Sequence, residues 1–129
     1  MAEIRTLFRP VGLKEMELIL DSGSILFPPR FSWQPFFYPV LNYEYAEQIA
    51  RNWNTKDPNS NYAGFVTEFE ISSNYLNQFE VHQVGSSVHR ELWIPAQQLD
   101  EFNRHISGTI KVVASFYGEN YVAQPEGHS

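Results

Sequence analysis

The chain has 129 residues, no cysteine and a formal net charge of −6, which excludes disulfides, thiolate metal ligands and a thiol nucleophile. Nine basic residues are scattered among fifteen acidic ones, so nucleic acid is not predicted as a partner. No secretory signal and no membrane-spanning apolar run is recognisable, so we expect a cytoplasmic protein without membrane contact.

The first predicted unit is a strand followed by a helix. Residues 4–9 are predicted to form the strand, which the sequence Pro10-Val11-Gly12 is expected to end. A helix over residues 14–22 follows, because Met16, Ile19 and Leu20 recur at helical spacing. Gly23 is predicted to be its left-handed C-terminal cap.

The second predicted unit follows a proline-rich aromatic segment, residues 27–39. Proline disfavours regular structure there before Phe36, and the segment either walls a pocket or covers one end of the core. A short strand over residues 36–41 leads into a helix whose N-cap is Asn42. Four residues at helical spacing define the predicted buried face of this helix, namely Ala46, Ile49, Ala50 and Trp53.

Four further strands are predicted from apolar alternation, over residues 65–71, 79–84, 88–94 and 109–117. Between the last two, a helix is expected to begin at Pro95 and end at Gly108. The last strand is predicted to point four residues inward, Ile110, Val112, Ala114 and Phe116. Residues 118–129 are polar and are expected to form a flexible tail.

These elements predict a single α+β domain over residues 1–117, built on a twisted, mainly antiparallel and split sheet with short helices. The four histidines (His82, His89, His105 and His128) lack the spacing of metal ligands, so no metal site is predicted. Glycine-rich dinucleotide and triphosphate loops are also missing from the sequence.

The most informative motif is His89-Arg90-Glu91-Leu92-Trp93-Ile94-Pro95. On a strand, alternation places His89, Glu91 and Trp93 on one face and turns the intervening apolar side chains to the core. A carboxylate beside an imidazole and an indole can accept a hydrogen bond from a sugar hydroxyl and stabilise developing positive charge. The alternative is an exposed carboxylate that is only solvated.

Over about residues 4–117, the order of elements and these short motifs resemble the ADP-ribosyltransferase-like family. In that family an Arg or His on the first strand grips NAD, a middle strand packs Ser or Tyr beside the nicotinamide, and a late strand supplies the catalytic Glu. The resemblance assigns these roles to Arg9, Tyr38 and Glu91. Two departures are visible: Pro39 follows Tyr38 where a small hydroxylic residue is usual, and His89 stands where arginine-modifying members carry Gln or Glu.

The resemblance implies an ADP-ribosyltransferase-like fold that cleaves the nicotinamide–ribose bond of NAD, for transfer to an acceptor or to water. Glu91 would be catalytic, and the NAD would be bound by Arg9, Tyr38, His89 and Trp93. Trp33 is a further candidate for the wall of this pocket, although aromatic residues are more often simply packed.

Alternatives from the residues alone stay open. Arg9 is equally compatible with a surface position at a strand end, and Tyr38 with the core. A second function is a non-catalytic module on the same scaffold, which binds a nucleotide without turnover or a protein partner through the aromatic loop, residues 31–37.

Overall fold

The computed structural model of the chain describes residues 3–123. Its largest sheet has three antiparallel strands in the order β1–β3–β7, with β1 at Ile4–Val11, β3 at Ala63–Ser72 and β7 at Ile106–Tyr117. The other strands pair in antiparallel twos, β2 (Phe36–Phe37) with β6 (Ile94–Pro95), and β4 (Val81–Gln83) with β5 (Arg90–Leu92).

Four short helices lie between the strands, α1 at Leu13–Asp21, α2 at Tyr43–Asn52, α3 at Ser73–Leu76 and α4 at Leu99–Arg104. The predicted class, α+β with antiparallel sheets and short helices, is thereby confirmed. Within residues 3–123, no helix has both the length and the apolar character that crossing a membrane requires.

Both helix caps predicted from local sequence are confirmed. Gly23 follows α1 with φ of 84°, and its N–H donates to the Leu20 carbonyl while that of Ser24 donates to Ile19, each at 3.0 Å. This pair of bonds is the Schellman motif. At the start of α2, the Asn42 side chain accepts the Tyr45 N–H at 2.8 Å, as an N-cap should.

The first strand is two residues longer than predicted, because β1 includes Pro10 and ends at Val11. Phe8 exchanges both backbone hydrogen bonds with Val40, on the edge of β1 that faces away from β3. Pro10, two residues on, directs its nitrogen to that same edge. The missing N–H donor therefore removes no hydrogen bond between β1 and β3, and the strand tolerates the proline.

Apolar residues cover both faces of the three-stranded sheet. One face carries the main core, which includes Leu7 of β1 and Phe65, Phe69 and Ile71 of β3, as the predicted alternation of β3 requires. On the opposite face Val66 packs in a smaller cluster with Val40, Ala46 and Ala50. Helix α2 therefore lies on this second face of the sheet.

A bulge divides the β7 residues that were predicted to point inward between the two faces of the sheet, and Val112 is not buried as predicted. Thr67 pairs with Val112 but its neighbour Val66 pairs with Ala114, so Val113 is an extra residue in β7. An extra residue reverses the alternation of a strand. Ile110 consequently joins the main core and Ala114 packs on the α2 side, whereas Val112 is exposed.

The predicted core position of Trp53 is also wrong, since 74% of its surface is exposed. Trp53 is the C-cap of α2, with φ of −113°, so it stands just past the helical residues whose spacing predicted its burial. The close contact is made earlier, because a Cβ on Gly64 would collide with the backbone of Ala50. Small residues at this crossing thus bring α2 and β3 together.

The predicted helix from Pro95 to Gly108 is shorter in the structure. Pro95 pairs with Phe36 in β6, a turn of 3-10 helix occupies Ala96–Gln98, and α4 ends at Arg104. Gly108 lies inside β7 with φ of 73°, next to a register shift opposite residues 68–70. A non-glycine residue is strained in that conformation.

The beginning of the predicted tail packs on the sheet. The Gly118 N–H donates to the Tyr62 carbonyl at 2.8 Å, and the Tyr121 ring lies 4.7 Å from that of Tyr117. Residues 124–129, the rest of the predicted tail, lie outside the described residues.

Candidate functional site

Three segments of the chain meet at Val40. Its backbone exchanges two hydrogen bonds with Phe8, at 3.0 and 2.8 Å. On the other side, the Leu41 N–H donates to the Arg90 carbonyl at 3.0 Å, and the Leu92 N–H donates to the Pro39 carbonyl at 2.9 Å. The residues that carry the predicted site are neighbours of these bonded positions, so the backbone brings them together.

A cleft of about 430 Å³ opens at this junction. Its walls come from β1, the segment before α2, α2 itself and the β5–β6 region, and its lining residues are Arg9, Pro10, Tyr38, Val40, Ile49, Glu91 and Trp93. Four of the five predicted site residues therefore line one cleft. His89, the fifth, does not.

Glu91 is held by two neutral donors. The Tyr45 hydroxyl donates to Oε1 at 2.7 Å, and the Trp93 indole N–H donates to Oε2 at 2.8 Å. Hydrogen bonds from neutral groups orient an ionised carboxylate and leave its charge in place. Each oxygen also keeps a lone pair for a further donor.

Tyr45 remains a donor over the whole ordinary pH range. Burial, the hydrogen bond to Glu91 and the negative charge of that carboxylate together raise the pKa of Tyr45 to about 12. Each of these effects disfavours the phenolate. The Tyr45 hydroxyl is consequently available to Glu91 at neutral pH.

Trp93 is positioned by its aromatic neighbours although its ring is partly exposed. The His82 ring stacks on it with centroids 3.9 Å apart and planes 10° apart. Tyr38 meets it edge-on at 6.3 Å, and Phe36 lies 5.8 Å away. These contacts hold the indole N–H towards Glu91 and leave an aromatic wall on the cleft.

His89 supports Tyr45 from behind. Its ring stacks on the Tyr45 ring with centroids 4.6 Å apart. Its Nε2 lies 2.8 Å from the Gln48 side-chain oxygen, and its Nδ1 lies 3.2 Å from the Val84 carbonyl. His89 thus links the β4–β5 turn to α2, and any influence on a ligand passes through Tyr45.

Arg9 is bonded inside the protein. Its Nε and Nη2 donate to the two carboxylate oxygens of Glu15 at 2.7 and 2.9 Å, and Nη1 donates to the Tyr38 carbonyl at 3.3 Å. The guanidinium also lies 4.5 Å from the centre of the Phe37 ring. Only 9% of the Arg9 side chain is exposed, against 21% for Glu15.

Arg9 therefore lies neither at the surface, as one interpretation of the sequence had it, nor free in the cleft. The fork-shaped pair with Glu15 neutralises its charge. Within the described part of the chain, one N–H on each terminal nitrogen has no partner. These two groups remain available to a ligand.

Two site residues, Tyr45 and Glu15, were missed in the sequence. Tyr45 shares a helical face with Gln48 and Ile49, and that polar and aromatic face is a signal that the sequence does contain. Glu15 stands in the first turn of α1, where an acid is common for reasons of the helix dipole alone. Its pairing with Arg9 has no local signature.

Trp33 was a candidate for the wall of the pocket, but it lies outside the cleft. Its ring stacks on Phe31 with centroids 4.8 Å and planes 7° apart, and the two side chains are 74% and 62% exposed. In residues 3–123 there is no cluster of three or more His, Cys, Asp and Glu side chains arranged to hold a metal ion.

Comparison of the chain with protein-family models, with curated proteins and with solved structures gives no match.

Proposed function

We propose that the cleft binds NAD and that Glu91 promotes cleavage of its nicotinamide–ribose bond, on an ADP-ribosyltransferase-like scaffold. The observation that carries this proposal is the shared lining of the cleft by Arg9, Tyr38, Glu91 and Trp93. Departure of nicotinamide leaves positive charge on the ribose, and a fixed carboxylate stabilises such charge.

Glu91 is suited to this role by its bonding. Tyr45 and Trp93 hold the carboxylate in one orientation without neutralising it, and such preorganisation is how enzymes stabilise a charged transition state. A free lone pair on a Glu91 carboxylate oxygen accepts a hydrogen bond from a ribose hydroxyl. The ribose carbon then forms a bond to water or to an acceptor nucleophile as its bond to the nicotinamide nitrogen breaks.

The other lining residues supply binding. Tyr38 and Trp93 offer aromatic surface to the nicotinamide ring, whose flat shape suits such contacts. The free N–H groups of Arg9 can donate to a phosphate or a ribose oxygen. Because Glu15 already neutralises Arg9, this contact contributes hydrogen bonds more than net charge.

Release of nicotinamide from NAD is the direct test. Glu91→Gln keeps the shape of the side chain but removes its charge, so release should fall by about 100-fold or more, as when an enzyme loses a main electrostatic contact. Glu101→Gln is the matched control, since Glu101 is an exposed residue on α4 and lines no part of the cleft. Equal release by wild type and Glu91→Gln would falsify the proposal.

A non-catalytic module is the second candidate, because Arg9 is neutralised internally and the aromatic pair Phe31–Trp33 is exposed. Such a module binds NAD or ADP-ribose without turnover, or binds a protein partner through this pair. Calorimetry with NAD and ADP-ribose separates the candidates. Tight binding without nicotinamide release favours a module, and loss of a partner in Trp33→Ser identifies the pair as the contact.

A further inference from the structure

A second and larger cavity lies on the other side of Arg9. Its volume is about 630 Å³, and it shares only Arg9 and Pro10 with the cleft. The start of α1 and the proline-rich segment before β2 form its walls. This volume lies within the range of ordinary small-molecule binding sites.

The cavity is positively charged although the chain as a whole is acidic. Its charged lining residues are Arg9, Lys14, Arg30 and Glu15, three cations and one anion, in a chain of formal net charge −6. Glu15 is already bonded through both oxygens to Arg9. Lys14 and Arg30 are therefore left without a neutralising partner in the wall.

Arg30 is the more unusual of these two cations, since it is half-buried. Its Nε donates to the Phe36 carbonyl at 3.0 Å, and neither terminal nitrogen has a partner within residues 3–123. Burial and the neighbouring charge of Arg9 both lower the pKa of Arg30, so its charge lies in an unfavourable environment. An anion in the cavity would relieve this cost.

The apolar part of the lining limits which anion fits. Leu18, Pro28 and Pro29 flank the cations, and Phe31 lies beside them as an exposed residue. An inorganic ion would leave this apolar surface in water. A ligand with phosphate at one end and a flat ring at the other would use both parts.

We infer that this second cavity binds a nucleoside diphosphate, with its phosphates on Arg30 and Lys14 and its base against the Phe31 side. The inference does not rest on cleavage of NAD, because none of these residues lines the Glu91 cleft. Arg9 and Pro10 line both sites, so a ligand in the second cavity lies next to the cleft.

Calorimetric titration with ADP tests the inference. Binding should be saturable and should weaken as salt is raised, because phosphate contacts of Lys and Arg are electrostatic. Arg30→Gln should weaken the affinity for ADP by about tenfold or more, because one charge-assisted contact is lost. Lys14 is exposed, so Lys14→Gln keeps the fold intact and should weaken binding by a smaller factor, about threefold.

Glu101→Gln is the matched control, because Glu101 is exposed on α4 and lines neither cavity, and it should bind ADP as the wild type does. Adenosine, which lacks the phosphates, should bind far more weakly than ADP. The inference is overturned if the wild type shows no saturable ADP binding, or if Lys14→Gln and Arg30→Gln both bind as tightly as the wild type. It is also overturned if the affinity for ADP falls in Glu91→Gln but in neither Lys14→Gln nor Arg30→Gln, since the ligand would then lie in the cleft.

Discussion

The two ends of the cleft satisfy their charged residues in opposite ways. At one end, the Arg9 guanidinium is almost fully buried and is paired with the carboxylate of Glu15. At the other, the Glu91 carboxylate is half-buried and accepts hydrogen bonds from the neutral groups of Tyr45 and Trp93. Both side chains are well oriented, yet only Glu91 keeps an uncompensated charge.

This difference separates stability from function. A buried charge with an opposite partner is a structural element, because removing one partner leaves the other desolvated and alone. A carboxylate oriented by neutral donors is poised for a positive charge that appears later. We therefore expect substitutions at the Arg9 end to change mainly the free energy of unfolding, and those at the Glu91 end to change mainly ligand chemistry.

The largest expected effect is at the Arg9 end. Arg9→Ala should lower the free energy of unfolding by about 3 kcal/mol, because Glu15 is left without its partner. A double-mutant cycle with Glu15→Ala, measured by urea unfolding, should give a coupling energy of about 1 to 3 kcal/mol. The more exposed pair Arg51–Glu47, four residues apart on α2, is the control and should couple by about 0.5 kcal/mol or less. Equal coupling in the two pairs would contradict the structural role of Arg9.

An intermediate effect is expected from Gly64→Ala, which tests how α2 supports the Glu91 end. The new Cβ would collide with the backbone of Ala50, so the helix that carries Tyr45 must move away from the sheet. Unfolding free energy should fall by about 2 kcal/mol, typical of overpacking. Gly23→Ala meets no neighbour and should cost about 1 kcal/mol through its positive φ alone. An unchanged free energy of unfolding in Gly64→Ala would mean that close packing of α2 on Gly64 does not position the helix.

The smallest expected effect is the loss of stability at alkaline pH that comes from ionisation of Tyr45. Its folded-state pKa of about 12 lies above the ordinary value of 10.0, so the associated stabilisation is complete below pH of about 10. It is lost as the pH rises through the folded-state pKa.

Ultraviolet titration of phenolate measures this pKa, with Tyr45→Phe to identify the signal. Glu91→Gln should lower the pKa of Tyr45, since the carboxylate contributes to its rise. The pKa of Tyr75 is also about 12, but it is raised by burial and by Glu101, so it should not respond. An unchanged Tyr45 signal in Glu91→Gln would argue against the hydrogen bond.

Much of the fold was accessible from local sequence. Asn42 and Gly23 act through backbone groups a few residues away, so the ends of α1 and α2 follow from their own neighbours. The errors at Pro10 and in the alternation of β7 beyond Val112 have a common cause. Whether a strand tolerates proline, or gains an extra residue, depends on which edge is paired and how its partner is registered.

The candidate site divides in the same manner. Strand alternation correctly placed Glu91 and Trp93 on one side of the chain, and they are now seen in direct contact. Tyr45, which completes the hold on Glu91, comes from a helix 46 residues earlier in the sequence. Nothing within reach of either residue along the chain indicates that pairing.

The sequence by itself thus determined the α+β class, where α1 and α2 are capped, and which side of its strand Glu91 occupies. Only the tertiary structure decided that Val40 joins the strands of Arg9 and Glu91, and that Glu15 neutralises the first while Tyr45 orients the second. The reason is physical: local preferences act over a few residues, whereas a cleft and its charges arise when distant segments pack and exclude water.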